Sequence, residues 1–270
     1  MSLQFRGRPA LVAYLTCGDP DLRTSRDVAL AAISAGAEVI ELGVPFSDPV
    51  ADGPVIQRAS ERALKNGVSL EQVLQLAADI RRESDAGLII FSYLNPIVRM
   101  GLEKFAKASA DAGVDGALIT DLPVEEAAEY LRHMRKRKLS TIFLAAPTST
   151  DARLKQIAQA SSAFIYAVSR TGVTGAQNNL PEDAQALVRR LRKITDLPVA
   201  VGFGISGPDQ FASVGKYADA AVIGSAIVQT IEQNPRKEAQ AVAEFIEQLS
   251  TFSHQPQKAA AKARCLAGAD

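Results

Sequence analysis

Cysteine and histidine are nearly absent, with two of each in 270 residues, and this removes whole classes of chemistry at the outset. Cys17 and Cys265 stand alone, so the sequence offers neither a disulfide framework nor metal-ligand spacing, and it suits a reducing compartment. His133 lies in the basic run Leu131-Arg-His-Met-Arg-Lys-Arg-Lys138, a pattern expected on the solvated face of a helix, which speaks against histidine-based nucleophilic or metal chemistry. Net charge is also missing. Lys plus Arg and Asp plus Glu both total 30, leaving no basic field to attract nucleic acid or an anionic membrane. No apolar run approaches the roughly 18 residues needed to span a bilayer, and no charged-then-apolar signal opens the chain. The expectation is a cytoplasmic protein whose partners are small molecules or other proteins.

What is present is a large apolar fraction, 47%, spread evenly along the chain as short β-rich runs alternating with Ala-rich amphipathic segments. No Pro/Gly/Ser linker divides it, so residues 1–252 are read as one domain and 253–270, Ala- and Lys-rich with little apolar mass, as a disordered tail. Strands are predicted near Ala10–Thr16, Glu38–Leu42, Leu88–Phe91, Gly116–Thr120, Ser140–Leu144, Ala163–Val168, Val199–Val201 and Ala220–Ile223, with a helical pattern between each and the next. Eight strands joined by crossover helices favour a closed (β/α)8 TIM barrel over an open doubly wound sheet. The turn after the first strand, Cys17-Gly-Asp-Pro-Asp21, is acidic and lacks the glycine spacing of a dinucleotide fold. Ser69-Leu-Glu-Gln72 reads as a capping box opening a helix.

In such a barrel the chemistry sits at the carboxyl ends of the strands, so residues there belong together. They include Tyr14, Glu41, Leu94, Asp121, Tyr166, Gly202 and Gly224. Glu41 is the unusual one. Alternation puts Ile40 and Leu42 on one face and Val39 and Glu41 on the other, so a carboxylate occupies an inward core position. A structural ion pair with a buried Arg or Lys is the plain alternative. The loop that follows carries Asp48 and Asp52, held by Pro45, Pro49, Gly53 and Pro54, and Asp52 is placed to fold back over the barrel mouth. Glycine clusters follow the last three strands: Gly172–Gly175, Gly202–Gly204 with Ser206, and Gly224-Ser225 at the start of a short helical pattern. Backbone amides and a helix N-terminus would make these a phosphate cup. The stretch Arg170–Leu180 is long for a strand-to-helix connection and reads as a lid.

Taken together, these motifs resemble the tryptophan synthase alpha chain family. The run Glu41-Leu-Gly-Val-Pro-Phe-Ser-Asp-Pro-Val-Ala-Asp-Gly-Pro54 is similar to that family's signature, and Thr16-Cys-Gly-Asp-Pro20, Thr120-Asp-Leu-Pro123, Ser169-Arg-Thr-Gly-Val-Thr-Gly175, Gly202-Phe-Gly-Ile205 and Gly224-Ser225 follow in order. The resemblance spans about Pro9 to Leu249. It implies retro-aldol cleavage of indole-3-glycerol phosphate to indole and glyceraldehyde 3-phosphate, with no metal or organic cofactor in this chain. It also implies that Glu41 is the acid/base, Asp52 the carboxylate facing the indole N–H, and Tyr166 a catalytic-site tyrosine. Tyr14, Leu94, Asp121 and Thr174 would contact substrate, and Gly175, Gly202, Gly204, Gly224 and Ser225 the phosphate. The partner implied is a beta chain carrying pyridoxal phosphate, in an alpha2-beta2 heterotetramer, docked through Pro45, Phe46, Asp48 and Pro49. Tyr14 stands where the family often has phenylalanine. Only a few residues precede the first strand, so most of the family's usual bottom-capping helix is missing. Two other readings are a sugar-phosphate isomerase type of barrel, disfavoured by the Glu41–Asp52 loop, and a non-catalytic regulatory subunit, disfavoured by retention of both carboxylates.

Overall fold

The computed structural model describes residues 3, 5–7, 9–168, 182–202 and 204–253. Eight parallel strands close on themselves in sequence order, β1 (Ala10–Thr16), β2 (Val39–Gly43), β3 (Gly87–Ser92), β4 (Gly116–Ile119), β5 (Ser140–Ala145), β6 (Ile165–Val168), β7 (Val199–Gly202) and β8 (Ala220–Ile223), with β8 pairing back to β1. The predicted barrel and its strand positions are therefore what the chain adopts. Helices wrap the outside: α1 (Leu22–Ser34), α2 (Pro54–Lys65), α3 (Leu70–Arg81), α4 (Leu94–Met100), α5 (Leu102–Asp111), α6 (Ala128–Lys136), α7 (Asp151–Ala160), α8 (Glu182–Leu191), α9 (Pro208–Val214), α10 (Ser225–Gln233) and α11 (Glu238–Ser253).

Side-chain alternation sorts each strand between two cores. Outward residues such as Leu11, Leu15, Ile40, Leu42, Leu88 and Ile90 pack against the helices. Inward residues fill the barrel: small Ala10, Ala200 and Ala220 share one cluster with bulky Ile89, Leu118, Ile142 and Phe164. That mixture fills the middle of the barrel with side chains. The amino-terminal end is closed without a helix among the described residues. Phe5 lies 5.3 Å from Phe164 between ring centroids, and Leu3 joins the same cluster. Glu38 secures this plug by accepting the amides of Arg6 at 2.6 Å and Gly7 at 2.7 Å.

Two helices were not expected from sequence. α2 begins at Pro54, where a missing N–H costs nothing, and buries Ile56, Ala59 and Ala63 at helical spacing. α4 carries Pro96 in its first turn, a position a helix tolerates. The capping box at α3 forms as predicted, with Ser69 N–H donating to Gln72 at 3.0 Å and Gln72 N–H to Ser69 at 3.5 Å. The predicted lid and tail, Arg170–Leu180 and 253–270, lie outside the described residues except for Ser253, which ends α11.

Candidate active site

Two inward positions on neighbouring strands begin the site. Tyr14 on β1 is in register with Glu41 on β2, and Glu41 is 0% exposed. Neither carboxyl oxygen of Glu41 has a hydrogen-bond partner among the described residues, so the expected alternative of a buried ion pair does not hold there. Burial without a partner disfavours the charged form and raises the Glu41 pKa from 4.5 to about 8.

Asp52 is 7% exposed, on the loop joining β2 to α2. Burial raises its pKa from 3.8 to about 6, held back by a hydrogen bond that the Tyr93 hydroxyl donates to Oδ2 at 3.0 Å. The loop is braced locally: the Asp52 amide donates to the Pro49 carbonyl at 3.0 Å, and Gln57 Nε2 donates to the Asp52 carbonyl at 2.8 Å. Two carboxyl groups with different environments thus share one space. At neutral pH Glu41 is mostly protonated and Asp52 mostly ionised.

That space is a cavity of about 230 Å³ at the carboxyl end of the barrel. Tyr14, Glu41, Asp52, Phe91 and Tyr166 line it together with Gly204, Ser206, Gly224 and Ser225. Tyr14 meets Phe91 edge-on at 5.1 Å, an arrangement suited to an apolar aromatic guest. Burial pushes the hydroxyls of Tyr14 and Tyr166 well above the ordinary tyrosine range, so both stay neutral donors. In the same cavity wall, α10 starts at Ser225 with no side-chain hydrogen bond capping its first amides, and Gly224 precedes it. Gly224, Ser225 and Ala226 all line the cavity, and the amides of a helix start suit an anion. Ser206 is less available, because its amide and hydroxyl both donate to Gln210 Oε1, at 2.7 and 3.1 Å.

Two glycines make room for the tyrosines. A Cβ at Gly43 would come within 2.4 Å of the Tyr14 hydroxyl, and one at Gly202 within 2.2 Å of the Tyr166 hydroxyl. Gly202, expected in the phosphate cup, is not among the residues lining the cavity, and its missing side chain leaves clearance for the Tyr166 ring. Leu94 and Asp121 are likewise not brought to the cavity. Leu94 opens α4, and exposed Asp121 accepts the Leu94 amide at 2.7 Å, closing the start of that helix. Phe91, which alternation from Ile89 places inward on β3, lines the cavity and was not singled out from sequence. Thr174 and Gly175 lie outside the described residues.

Of the docking residues, Asp48 is exposed and Pro49 partly so, whereas Pro45 is buried and Phe46 stacks on Tyr93 at 5.1 Å. The apolar side chain the loop actually offers is Val50, 80% exposed, which sequence reading missed. A larger hollow, about 590 Å³, opens at the opposite end of the barrel beside Leu3 and Arg6. Two of its three carboxylates are engaged: Glu38 by the N-terminal plug, and Asp115 by Arg81 at 2.7 Å and the Leu88 amide at 2.9 Å. Among the described residues no group of His, Cys, Asp and Glu could hold a metal ion, and no helix is long and apolar enough to cross a membrane.

A family model described as tryptophan synthase alpha chain matches residues 1–257. The chain belongs to the tryptophan synthase alpha chain family. It is 51% identical to the tryptophan synthase alpha chain of Solibacter usitatus over 237 residues, covering 88% of this chain and 89% of that one. The Neisseria meningitidis alpha chain is 44% identical over 244 residues, covering 90% and 94%. Among solved structures, one of Mycobacterium tuberculosis tryptophan synthase superposes with a TM-score of 0.86 at 36% identity, covering 92% of this chain and 94% of that chain. A chain of the Pyrococcus furiosus tryptophan synthase α2β2 complex also superposes at 0.86, with 40% identity and coverage of 92% and 100%. Family membership agrees with the two-carboxylate cavity and gives no support to an isomerase or a purely regulatory subunit.

Proposed function

We propose that this alpha chain is a carbon–carbon lyase of tryptophan biosynthesis, cleaving indole-3-glycerol phosphate to indole and glyceraldehyde 3-phosphate. The observation that carries this reading is the pairing, in one largely apolar cavity, of two buried carboxyl groups in different settings, Glu41 with neither oxygen hydrogen-bonded among the described residues and Asp52 accepting from Tyr93. Breaking the bond between the indole ring and its side chain needs a proton on the ring carbon. Glu41, neutral at physiological pH, donates it, and the resulting carboxylate then takes the hydroxyl proton as the aldehyde forms. Asp52 accepts the indole N–H and offsets the positive charge that develops on the ring. Tyr14 and Phe91 flank the ring, Tyr166 stands beside the reacting centre, and the free amides at Gly224 and Ser225 hold the phosphate. Gly204, with φ of +80°, shapes the neighbouring turn. For Thr174 and Gly175 the family resemblance implies contact with substrate and with the phosphate, respectively.

Both proton transfers are supplied by carboxyl groups of this chain, so the chemistry asks for no cofactor within it. The product indole is apolar, and its receiver is a beta chain expected to carry pyridoxal phosphate, in a cytoplasmic α2β2 assembly such as that of the Pyrococcus furiosus relative. Docking over the barrel mouth would engage Asp48, Pro49 and Val50. Because that loop ends in Asp52, docking could set the carboxylate's geometry and raise the rate. Indole release from indole-3-glycerol phosphate, measured with and without a cognate beta chain, tests the reading. Indole and glyceraldehyde 3-phosphate should appear in equal amounts and faster with the beta chain; no indole under either condition would refute it.

A further inference from the structure

Asp52 sits on a loop of ten residues, and most of the bonds described there are internal to it or run to the helix that follows. The Val50 amide donates to the Asp48 carbonyl at 2.8 Å and the Asp52 amide to Pro49, contacts that shape the loop without tying it to the barrel wall. At the loop's start the Val44 amide donates to the Phe91 carbonyl of β3 at 2.9 Å; nearer Asp52 the tie comes from Tyr93, 3% exposed, which follows the end of β3 and caps α4 and is thereby fixed by two rigid elements. Its ring stacks on Phe46 at 5.1 Å with 29° between planes. Its hydroxyl accepts the Ala51 amide at 3.0 Å and donates to Asp52 Oδ2 at 3.0 Å. The assignment of donor and acceptor is forced: an amide can only donate and a carboxylate can only accept, so the single phenolic proton points at Asp52. Among the described residues this is the one hydrogen bond to that carboxylate.

We propose that Tyr93 is a positioning residue for the reaction, holding Asp52 at the cavity and in its ionised form through a three-point clamp on Phe46, Ala51 and Asp52. This rests on the function proposed above, in which Asp52 must be charged. Among the described residues, the other titratable groups facing Asp52 are Tyr14 from β1, Glu41 from β2 and Tyr166 from β6, with Asp121 acting on Tyr93 from the end of β4. All are neutral or acidic, so none draws Asp52 toward its charged form. Tyr93 does, because a hydrogen bond donated to a carboxylate favours ionisation.

Tyr93→Phe keeps the stacked ring and deletes the hydroxyl; the Ala51 amide, on an exposed residue, turns to water. The ionisation of Asp52 should be followed directly in the full chain by its carboxyl carbon-13 shift against pH, beside the pH profile of indole release. Removing the bond should raise the Asp52 midpoint by roughly one pH unit and move the acid limb of kcat with it, so that kcat below the midpoint falls about tenfold with little change in KM. In an Asp52→Asn background Tyr93→Phe should cost no further kcat, an outcome a purely structural role would not give. An unmoved Asp52 midpoint and acid limb in Tyr93→Phe would overturn the clamp even with wild-type indole release intact. Conversely, a shifted midpoint in a chain that never releases indole would uphold the clamp and refute the proposed reaction.

Discussion

A carboxyl group kept protonated in the folded state must leave a mark on stability, and Glu41 gives that mark a definite sign. The unfolded chain ionises this group above its ordinary value of 4.5, while the native chain holds the proton to about pH 8. In that window the native state binds more protons than the unfolded state, so stability falls as pH rises through it and the loss is complete above about pH 8. The difference corresponds to roughly 5 kcal/mol when fully developed and about 3 kcal/mol at pH 7. Glutamine copies the protonated acid in shape and cannot ionise. Glu41→Gln is therefore expected to match the wild type near pH 4.5 and to be more stable at pH 7, by a urea midpoint about 1 M higher if m is about 2–3 kcal/mol/M. Urea unfolding at several pH values between 4.5 and 8.5, run on both proteins, reads this directly. Parallel curves, with a constant gap between variant and wild type, would show that Glu41 does not hold a proton in the folded state.

Three other outcomes follow from the same geometry. Gly202→Ala should destabilise by about 1–3 kcal/mol and lower activity, because the new methyl meets the Tyr166 ring at 2.2–2.5 Å; adding Tyr166→Leu should recover stability but not turnover, checked by thermal unfolding and indole release. Gly224→Asp should weaken binding of inorganic phosphate and of glyceraldehyde 3-phosphate alike by at least tenfold in calorimetry, since its Cβ has room beside Tyr14 at 3.5 Å but its carboxylate repels the anion; unchanged affinities would place the phosphate elsewhere. Asp48→Lys should abolish stimulation by a cognate beta chain while leaving the basal rate and fold intact, because the side chain is exposed and outside the cavity; full stimulation would move the docking surface elsewhere.

The architecture was legible because strand alternation and helical spacing repeat through the whole chain, and β1 and β8 fall on the predicted residues. Glu41 was legible for a sharper reason: a carboxylate breaks an otherwise apolar inward face. Where reading failed, proline and glycine were the cause. Pro54 suggested loop, yet it sits where a helix begins and tolerates it. Gly202 suggested an anion cup, and its missing side chain also clears a ring two positions back on the neighbouring strand's register, a relation that only packing shows. Tyr93 gave no signal at all, since a tyrosine following a strand carries no pattern until Asp52 folds back to meet its hydroxyl. The N-terminal closure was hidden similarly, because Phe5 becomes a plug only once Phe164 stands beneath it.

The central claim, that Glu41 moves both protons of the cleavage, is tested most directly by indole release from Glu41→Gln with substrate binding measured alongside. The variant keeps the shape and apolar surroundings of the site but cannot transfer a proton, so turnover should fall by at least roughly 10²–10⁴-fold while affinity for indole-3-glycerol phosphate stays near wild type. Turnover close to wild type at unchanged affinity would contradict the account and remove Glu41 from the chemistry.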